Sequence, residues 1–580
     1  MKLTRNVLNY PIEITTEAMG KDISVQIKGG MTFHIGAVSL IGPDSPLQTL
    51  ALPHHKDQVI TEMYAKALYK QFHCAVAVTC GIHYDQATSD DLQVIITNTK
   101  EMLAELIAGL RRKNTMSIKP FSEESYEVKT LTLHDQTITY RAYENIIYVQ
   151  KPIEPDYQCL NIFVPECFYH NQSINGYRLH TAPIFMPNTV GGYMPGKPAV
   201  PKEDRHGELN AVFKALQHGY VVVSAGSRGR KLQDEQGHYT GIAPACIVDQ
   251  KAAIRYLRHN EADIPGDLNK IISNGTSAGG ALSSLMGATG NSPLYEPYLE
   301  AIGAYHEKDN IFASSCYCPI TNLENADKAY EWSFNGINEF QGAVPVKDEN
   351  GNIRFEKRTA QLTEEQIQAS NELKQAFIDY LNSLKLTANG QLLTLDKNGD
   401  GSFKQYIQSL WIQSANRSLA QGNDLSSYEF ITWEDGQVKD IDFDQYMQFS
   451  TRMKAVPAFD TFNLRSPENQ LFGTETTESQ HFTLYSYQHS HFKGALAAKD
   501  IIALMNPLNF IHDQSADTAK HWRIRHGAID RDTSLAIPAI LALSLENAGY
   551  HVDFFSPWQI PHAGDYDLDE LFAWIDEIAK

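Results

Sequence analysis

Sulfur bridges, long apolar runs and positive charge are all scarce in this sequence. Only seven cysteines occur in 580 residues, at 74, 80, 159, 167, 246, 316 and 318. An odd, scattered set lying mostly inside apolar stretches suits reduced, buried thiols better than a disulfide framework. Cys316-x-Cys318 alternates along a strand and lacks zinc-ligand spacing. No apolar run is long enough to span a bilayer. Residues 1–20 carry Lys2, Arg5, Glu13 and Glu17 with no apolar core, so neither a secretory signal nor a lipidation motif is visible. Lys and Arg number 49 against 69 Asp and Glu, a formal net charge of -20, which argues against nucleic acid or an anionic membrane as a partner, since both need basic patches. These absences predict a cytoplasmic protein with no nucleic-acid or membrane partner and a small substrate that is not strongly anionic.

What remains is a chain of 580 residues with 42% hydrophobic content, too long for one ordinary core and sufficient for two or three domains. Residues 1–113 read as a small α+β domain, with strands at 22–28, 31–40 and 75–81. Helical spacing appears at 58–72 and 90–110, the second followed by Arg111-Arg112-Lys113, where cations complement a helix C-terminus. Residues 114–124, polar and containing Pro120, read as a linker. From Tyr126 onward strands and helices alternate: strands at 159–164, 182–186, 220–225, 270–273 and 314–318, with a helix at 249–259. That alternation predicts an α/β core with a mostly parallel sheet, its first part covering 125–319. Residues 320–505 interrupt it with a charged, helix-rich stretch, clearest at 364–383, that reads as an inserted lid. The core resumes over 506–580, with strands at 522–527 and 550–555 and a closing amphipathic helix at 568–578.

Between the strand at 270–273 and a small-residue helix at 280–286 stands Gly275-Thr276-Ser277-Ala278-Gly279, the turn that exposes a serine nucleophile in the α/β-hydrolase fold. Flanking side chains would clash there, and the serine backbone is forced into a strained conformation. A serine hydroxyl needs a base within hydrogen-bond reach and an acid to orient that base, and in this fold the chain order is Ser, acid, His. Pro561-His562-Ala563, after the last strand, makes His562 the expected general base, with His526 its rival. Asp530 and Asp532 follow the preceding strand, and spacing alone does not choose between them. Ala278, directly after the nucleophile, is expected to give one backbone N–H to an oxyanion hole. Gly191, in Asn188-Thr189-Val190-Gly191-Gly192-Tyr193, is expected to give the other.

The segments 187–194, 275–284, 530–534 and 561–567 resemble the corresponding motifs of bacterial tannases, in the same order, over about residues 115–580. Fungal tannases carry cysteines beside the serine and histidine, where this sequence has Thr276 and Pro561. The resemblance implies an α/β-hydrolase fold with a lid, hydrolysis of galloyl esters such as tannins and alkyl gallates, and no cofactor. It also implies Asp530 as the triad acid, and Lys454, Glu468 and Asp532 as ligands of the three phenolic hydroxyls. A broad carboxylesterase, a feruloyl-type esterase and a prolyl-oligopeptidase-like peptidase are the rival activities on the same fold.

Two smaller features complete the reading. Phe33-His34-Ile35-Gly36-Ala37-Val38, His55-Lys56-Asp57 and Gly81-Ile82-His83-Tyr84-Asp85 resemble the small companion subunit of bacterial gallate and hydroxybenzoate decarboxylases, a family linked to prenylated-flavin handling. That likeness implies a binding or chaperone module and a functional link to a gallate decarboxylase. No pair among His34, His54, His55, His73 and His83 has metal-ligand spacing, so no metal is expected. Asp396-Lys397-Asn398-Gly399-Asp400 resembles the start of a calcium loop, but its twelfth position is Ile407 rather than a bidentate Glu, which favours a turn capping the next helix.

Overall fold

The structure, a computed structural model, describes all residues except 1, 20–21, 44, 54, 73, 116–120, 205–206, 348–352 and 493. His54, His73 and residues 116–120 of the expected linker therefore lie outside the described residues. The chain divides into two compact units, Met1–Ile118 and Lys119–Lys580.

The first unit is a six-stranded sheet with helices Gln58–Phe72 and Ser89–Thr115. Strands Asp22–Gly30, Thr32–Gly42 and Val76–His83 occupy the segments whose apolar pattern predicted them. Three more strands, Lys2–Val7, Tyr10–Met19 and Ser45–Ala51, extend the sheet. The first two form a hairpin closed by Leu8 and Asn9, with φ of 48° and 72°, the twist that a two-residue turn between antiparallel strands requires. Alternate residues Ile12, Ile14, Val25, Ile27, Val76 and Val78 point to one face, where Ile60, Tyr64 and Leu68, one helical turn apart, cover them.

The second unit is built on nine strands in the order His551–Phe555, His521–Arg525, Ala313–Tyr317, Asp267–Thr276, Pro183–Pro187, Val221–Ala225, Cys159–Pro165, Gln136–Ile147 and Glu127–Leu133. The first six run parallel and the last three are joined antiparallel. Central strands such as Pro183–Pro187 and Val221–Ala225 are buried throughout, which explains their unbroken apolar reading. This is the α/β architecture expected from the alternation. Helices Ala245–His259, Ala278–Ala288, Ala536–Asn547 and Leu568–Ala579 accompany the sheet.

Between Ala313–Tyr317 and His521–Arg525 lie helices Leu323–Phe334, Glu364–Leu384, Ser402–Ala420 and Phe443–Ser450, several shorter helices and three two-stranded hairpins. None of those hairpins joins the nine-stranded sheet. The Asp396 loop is a turn: Asp396 Oδ1 accepts from the N–H groups of Asn398 and Asp400 at 2.8 and 3.0 Å, and Lys404 Nζ donates to Asp400 Oδ1 at 2.8 Å.

Candidate active site

In an open parallel sheet, loops leaving the strand C-termini converge on one crevice, and four such loops carry the groups singled out in the sequence. The central strand Asp267–Thr276 ends at Ser277, whose φ of 62° and ψ of -122° lie in a region that L-residues rarely adopt. The turn is held by Ser277 N–H donating to Tyr317 O at 2.9 Å and by Ser277 O accepting from Ala281 and Ile320 N–H at 3.0 and 3.2 Å. Its glycines are steric necessities: a Cβ on Gly275 would stand 2.2 Å from Gly279 O, and one on Gly279 would stand 2.5 Å from Asn188 Oδ1.

Asn188 fastens the next loop to this turn. Its Nδ2 donates to Gly279 O at 3.0 Å and to Asn274 O at 3.2 Å, while its Oδ1 accepts from Val190 N–H at 3.2 Å. Gly191 and Gly192 follow; a Cβ on Gly191 would meet nothing within 4 Å, so space beside it is open to a ligand. Arg230 braces the pair from behind, its Nε donating to Gly192 O at 2.6 Å and its guanidinium to Gln470. Ala278 opens helix Ala278–Ala288, so its N–H has no acceptor within the helix. The Gly191 loop and the Ala278 turn thus lie side by side, tied by Asn188.

The two C-terminal loops bring Asp530 and His562 together. His562 Nδ1 lies 2.7 Å from Asp530 Oδ2, and Asp530 Oδ1 accepts from Asp532 N–H at 2.8 Å. Burial disfavours the charged imidazole, but the Asp530 carboxylate and its hydrogen bond outweigh that and raise the His562 pKa above its ordinary value. Burial would also lift Asp530, yet His526 and His562 hold it below the usual carboxylate range. His526, the rival base, is buried with its Nδ1 3.5 Å from the same Asp530 Oδ2. It backs the acid from inside the core, and burial lowers its pKa.

No hydrogen bond joins Ser277 Oγ to His562 among the described residues. Instead His562 Nε2 lies 3.9 Å from Cys318 Sγ. The loops themselves are in contact: a Cβ on Gly564 would fall 1.8 Å from Thr276 Oγ1, the residue before Ser277. Cys318, whose thiol burial pushes up in pKa, has the sequence pattern of an ordinary strand residue. Its place directly after a strand C-terminus was the available signal.

The expected ligand groups form a second cluster. Lys454 Nζ lies 3.8 Å from Asp532 Oδ1 and 4.1 Å from the centre of the Phe459 ring. Glu468 is buried in helix Pro467–Leu471. Burial raises its pKa, an effect that Lys454 and Arg230 oppose and Asp532 reinforces. Tyr330, which no motif marks, links this cluster to the Asp530–Asp532 loop: its hydroxyl accepts from Met453 and Lys454 N–H at 3.2 and 3.1 Å and donates to Arg531 O at 3.1 Å.

A tannase from Lactobacillus plantarum is 49% identical, with a TM-score of 0.77, covering 79% of this chain and 98% of that one. Fusobacterium nucleatum tannase is 50% identical, with a TM-score of 0.76, covering 80% of this chain and 100% of that one. The chain belongs to the tannase family. Tannases are carboxylic ester hydrolases, and this chain shares that activity class. Another solved tannin acyl hydrolase, in complex with ethyl gallate, is 49% identical with a TM-score of 0.74, covering 79% of this chain and 98% of that one. A family model described as BD-FAE matches residues 191–340 of this tannase. The N-terminal part matches a model described as a prenylated flavin chaperone LpdD-like domain over residues 6–111. Protein LpdD of Lactiplantibacillus plantarum is 25% identical over 122 residues, 20% of this chain and 90% of that protein. No helix among the described residues is long and apolar enough to cross a membrane.

Proposed function

We propose that this tannase hydrolyses galloyl esters through Ser277, His562 and Asp530. His562 Nε2 takes the Ser277 Oγ proton as Oγ attacks the galloyl carbonyl carbon, and the negative charge that develops on the carbonyl oxygen is met by the N–H groups of Ala278 and Gly191. The ester C–O bond breaks as His562 returns the proton to the departing alcohol. Water, deprotonated by the same histidine, then attacks the acyl carbon and frees gallate and Ser277. Asp530 keeps Nδ1 protonated and stabilises the imidazolium. Adjacent phenolic hydroxyls donate to the carboxylates of Glu468 and Asp532 and accept from Lys454.

The observation that carries this reading is the strained Ser277 turn packed against the loop that holds the His562–Asp530 hydrogen bond. Ser277→Ala removes the nucleophile and should lower methyl gallate hydrolysis by ~10⁵ or more, followed as gallate released. Wild-type turnover in that variant overturns the mechanism. Seven unpaired cysteines suit a reducing compartment, which supports a cytoplasmic location. For the first unit, the likeness to the LpdD-like domain supports a role in handling a flavin for a gallate decarboxylase, an enzyme whose substrate would be the acid that the esterase releases.

A further inference from the structure

The first unit contains a side-chain cluster that the esterase chemistry does not use. His34 Nε2 and His55 Nδ1 face each other at 2.9 Å, and Asp57 Oδ2 lies 3.8 and 3.6 Å from those same two atoms. The latter separations are too long for hydrogen bonds, so the two rings share a hydrogen while the carboxylate oxygen faces both without bonding either. The Asp57 side chain is only 5% exposed, whereas His34 and His55 are 23% and 30% exposed. The triangle of ligand atoms has a centre about 2.0 Å from each corner, where zinc bonds imidazole nitrogen and carboxylate oxygen at ~2.0–2.2 Å.

The backbone is shaped to this cluster. Strand Thr32–Gly42 breaks register with Val76–His83 between Phe33 and Ala37, so His34 sits in a bulge, the irregularity that re-aims side chains. A Cβ on Gly81 would fall 1.8 Å from His34 O, and one on Gly36 would fall 2.0 Å from Asp57 Oδ2. Asp57 immediately precedes helix Gln58–Phe72, where an aspartate ordinarily caps the helix with its side chain. Here Oδ1 accepts instead from the N–H of Ile82, in strand Val76–His83, at 2.9 Å. That bond fixes the carboxylate and leaves Oδ2 turned to the histidines, as an outer-shell bond orients a metal ligand.

We infer that His34, His55 and Asp57 bind a divalent first-row transition ion of the zinc class, with a remaining coordination position on the exposed side for water or an anionic oxygen ligand. Two imidazoles and a carboxylate are the donor set of such open sites. The ion replaces the hydrogen shared by the two rings and supplies the charge that Asp57 Oδ2 faces. The inference stands apart from the esterase reading, since none of its residues belongs to that site.

Full-length protein freed of metal with a chelator and titrated with Zn²⁺ against a chromophoric competitor tests it, with Co²⁺ absorption reporting coordination. Cys318, Asp530 and His562 also lie close enough together to hold a cation, so the titration is repeated in Cys318→Ala. One equivalent should bind in wild type and in Cys318→Ala, with a tetrahedral-type cobalt spectrum. His34→Ala and His55→Ala should each weaken binding at least tenfold, and the double variant should abolish the cobalt bands. His34→Gln and His55→Gln serve as folding controls, checked by thermal melting, because they keep polar side chains at these positions. Absence of binding in wild type, or binding unchanged in folded His34 and His55 variants, overturns the site.

Discussion

Two regions meet at Asp530-Arg531-Asp532, and they are built differently. Ser277, Asp530 and His562 stand on loops leaving one sheet, each fixed by the strand before it. Lys454 and Glu468 stand in the segment between the strands Ala313–Tyr317 and His521–Arg525, which among its described residues shares no strand with that sheet. That segment is locked internally by polar bonds. Asp327 accepts from Phe459 and Asp460 N–H at 2.7 and 3.0 Å, Asp460 accepts from His481, Asn469 and Thr483, and Arg452 pairs with Glu331 in full burial. The two aspartates mirror the division. The Asp530 side chain is fully buried and hydrogen-bonded to His562, whereas that of Asp532 is 31% exposed and faces Lys454. A carboxylate that orients a base gains from exclusion of water, and one that receives a substrate must remain reachable.

The largest break in this comparison comes from Asp530→Asn. It should lower kcat for every ester by ~10³–10⁴, because the amide no longer holds the imidazole in its working tautomer. The pH profile carries the sign: a base is active when neutral, and His562 is raised above 6.5 by Asp530, so the acidic limb of kcat/KM should lie above that value in wild type and move down in the variant. Next in size, Lys454→Ala, Glu468→Ala and Asp532→Asn should leave methyl benzoate hydrolysis nearly unchanged while lowering kcat/KM for methyl gallate by ~10–10³-fold. Equal losses on the two esters would remove the distinction between the regions. Gly564→Ala should cost ~10–10²-fold in kcat, since its methyl group must displace the His562 loop from Thr276. Combining it with Thr276→Gly should restore part of that loss, and a double variant as slow as the single would show that crowding is not the cause.

Legibility in the sequence followed the same division. The sheet announces itself through buried apolar strands, and the Ser277 turn through glycines that nothing else can replace, so pattern and chain order alone point to Ser277, His562 and the loop of Asp530 and Asp532 as the proposed catalytic groups. Lys454 and Glu468 are isolated charges in a helix-rich stretch, and only the likeness to tannases singled them out. Asn188, Arg230, Tyr330 and Cys318 act through hydrogen bonds or contacts between distant segments, which no periodicity records. The hairpin Lys2–Val7 to Tyr10–Met19 gives little signal in the sequence, because only Val7 of its first strand is buried and Leu8-Asn9 is not a glycine turn. His34 and His55 approach only because a bulge turns one of them, which is why spacing along the chain excluded them as ligands.

The smallest expected effect belongs to His526, and it tests whether burial behind Asp530 matters to the base in front. Its Nδ1 is 3.5 Å from Asp530 Oδ2, at the edge of hydrogen-bonding distance, and both ring nitrogens lack a hydrogen-bond partner among the described residues. A cavity lined by His526 and Asp530 continues to Trp332, Trp411 and Phe443, so a phenyl ring at this position has apolar neighbours. His526→Phe removes a weak interaction with the carboxylate that His562 also uses. With that competition gone, Asp530 should stabilise imidazolium more strongly, moving the acidic limb up, opposite to Asp530→Asn. The contact is marginal, so kcat should fall by only ~2–10-fold, as for the loss of one weak hydrogen bond. A downward shift of the limb would instead mean that His526 supports the base by a route other than its contact with Asp530.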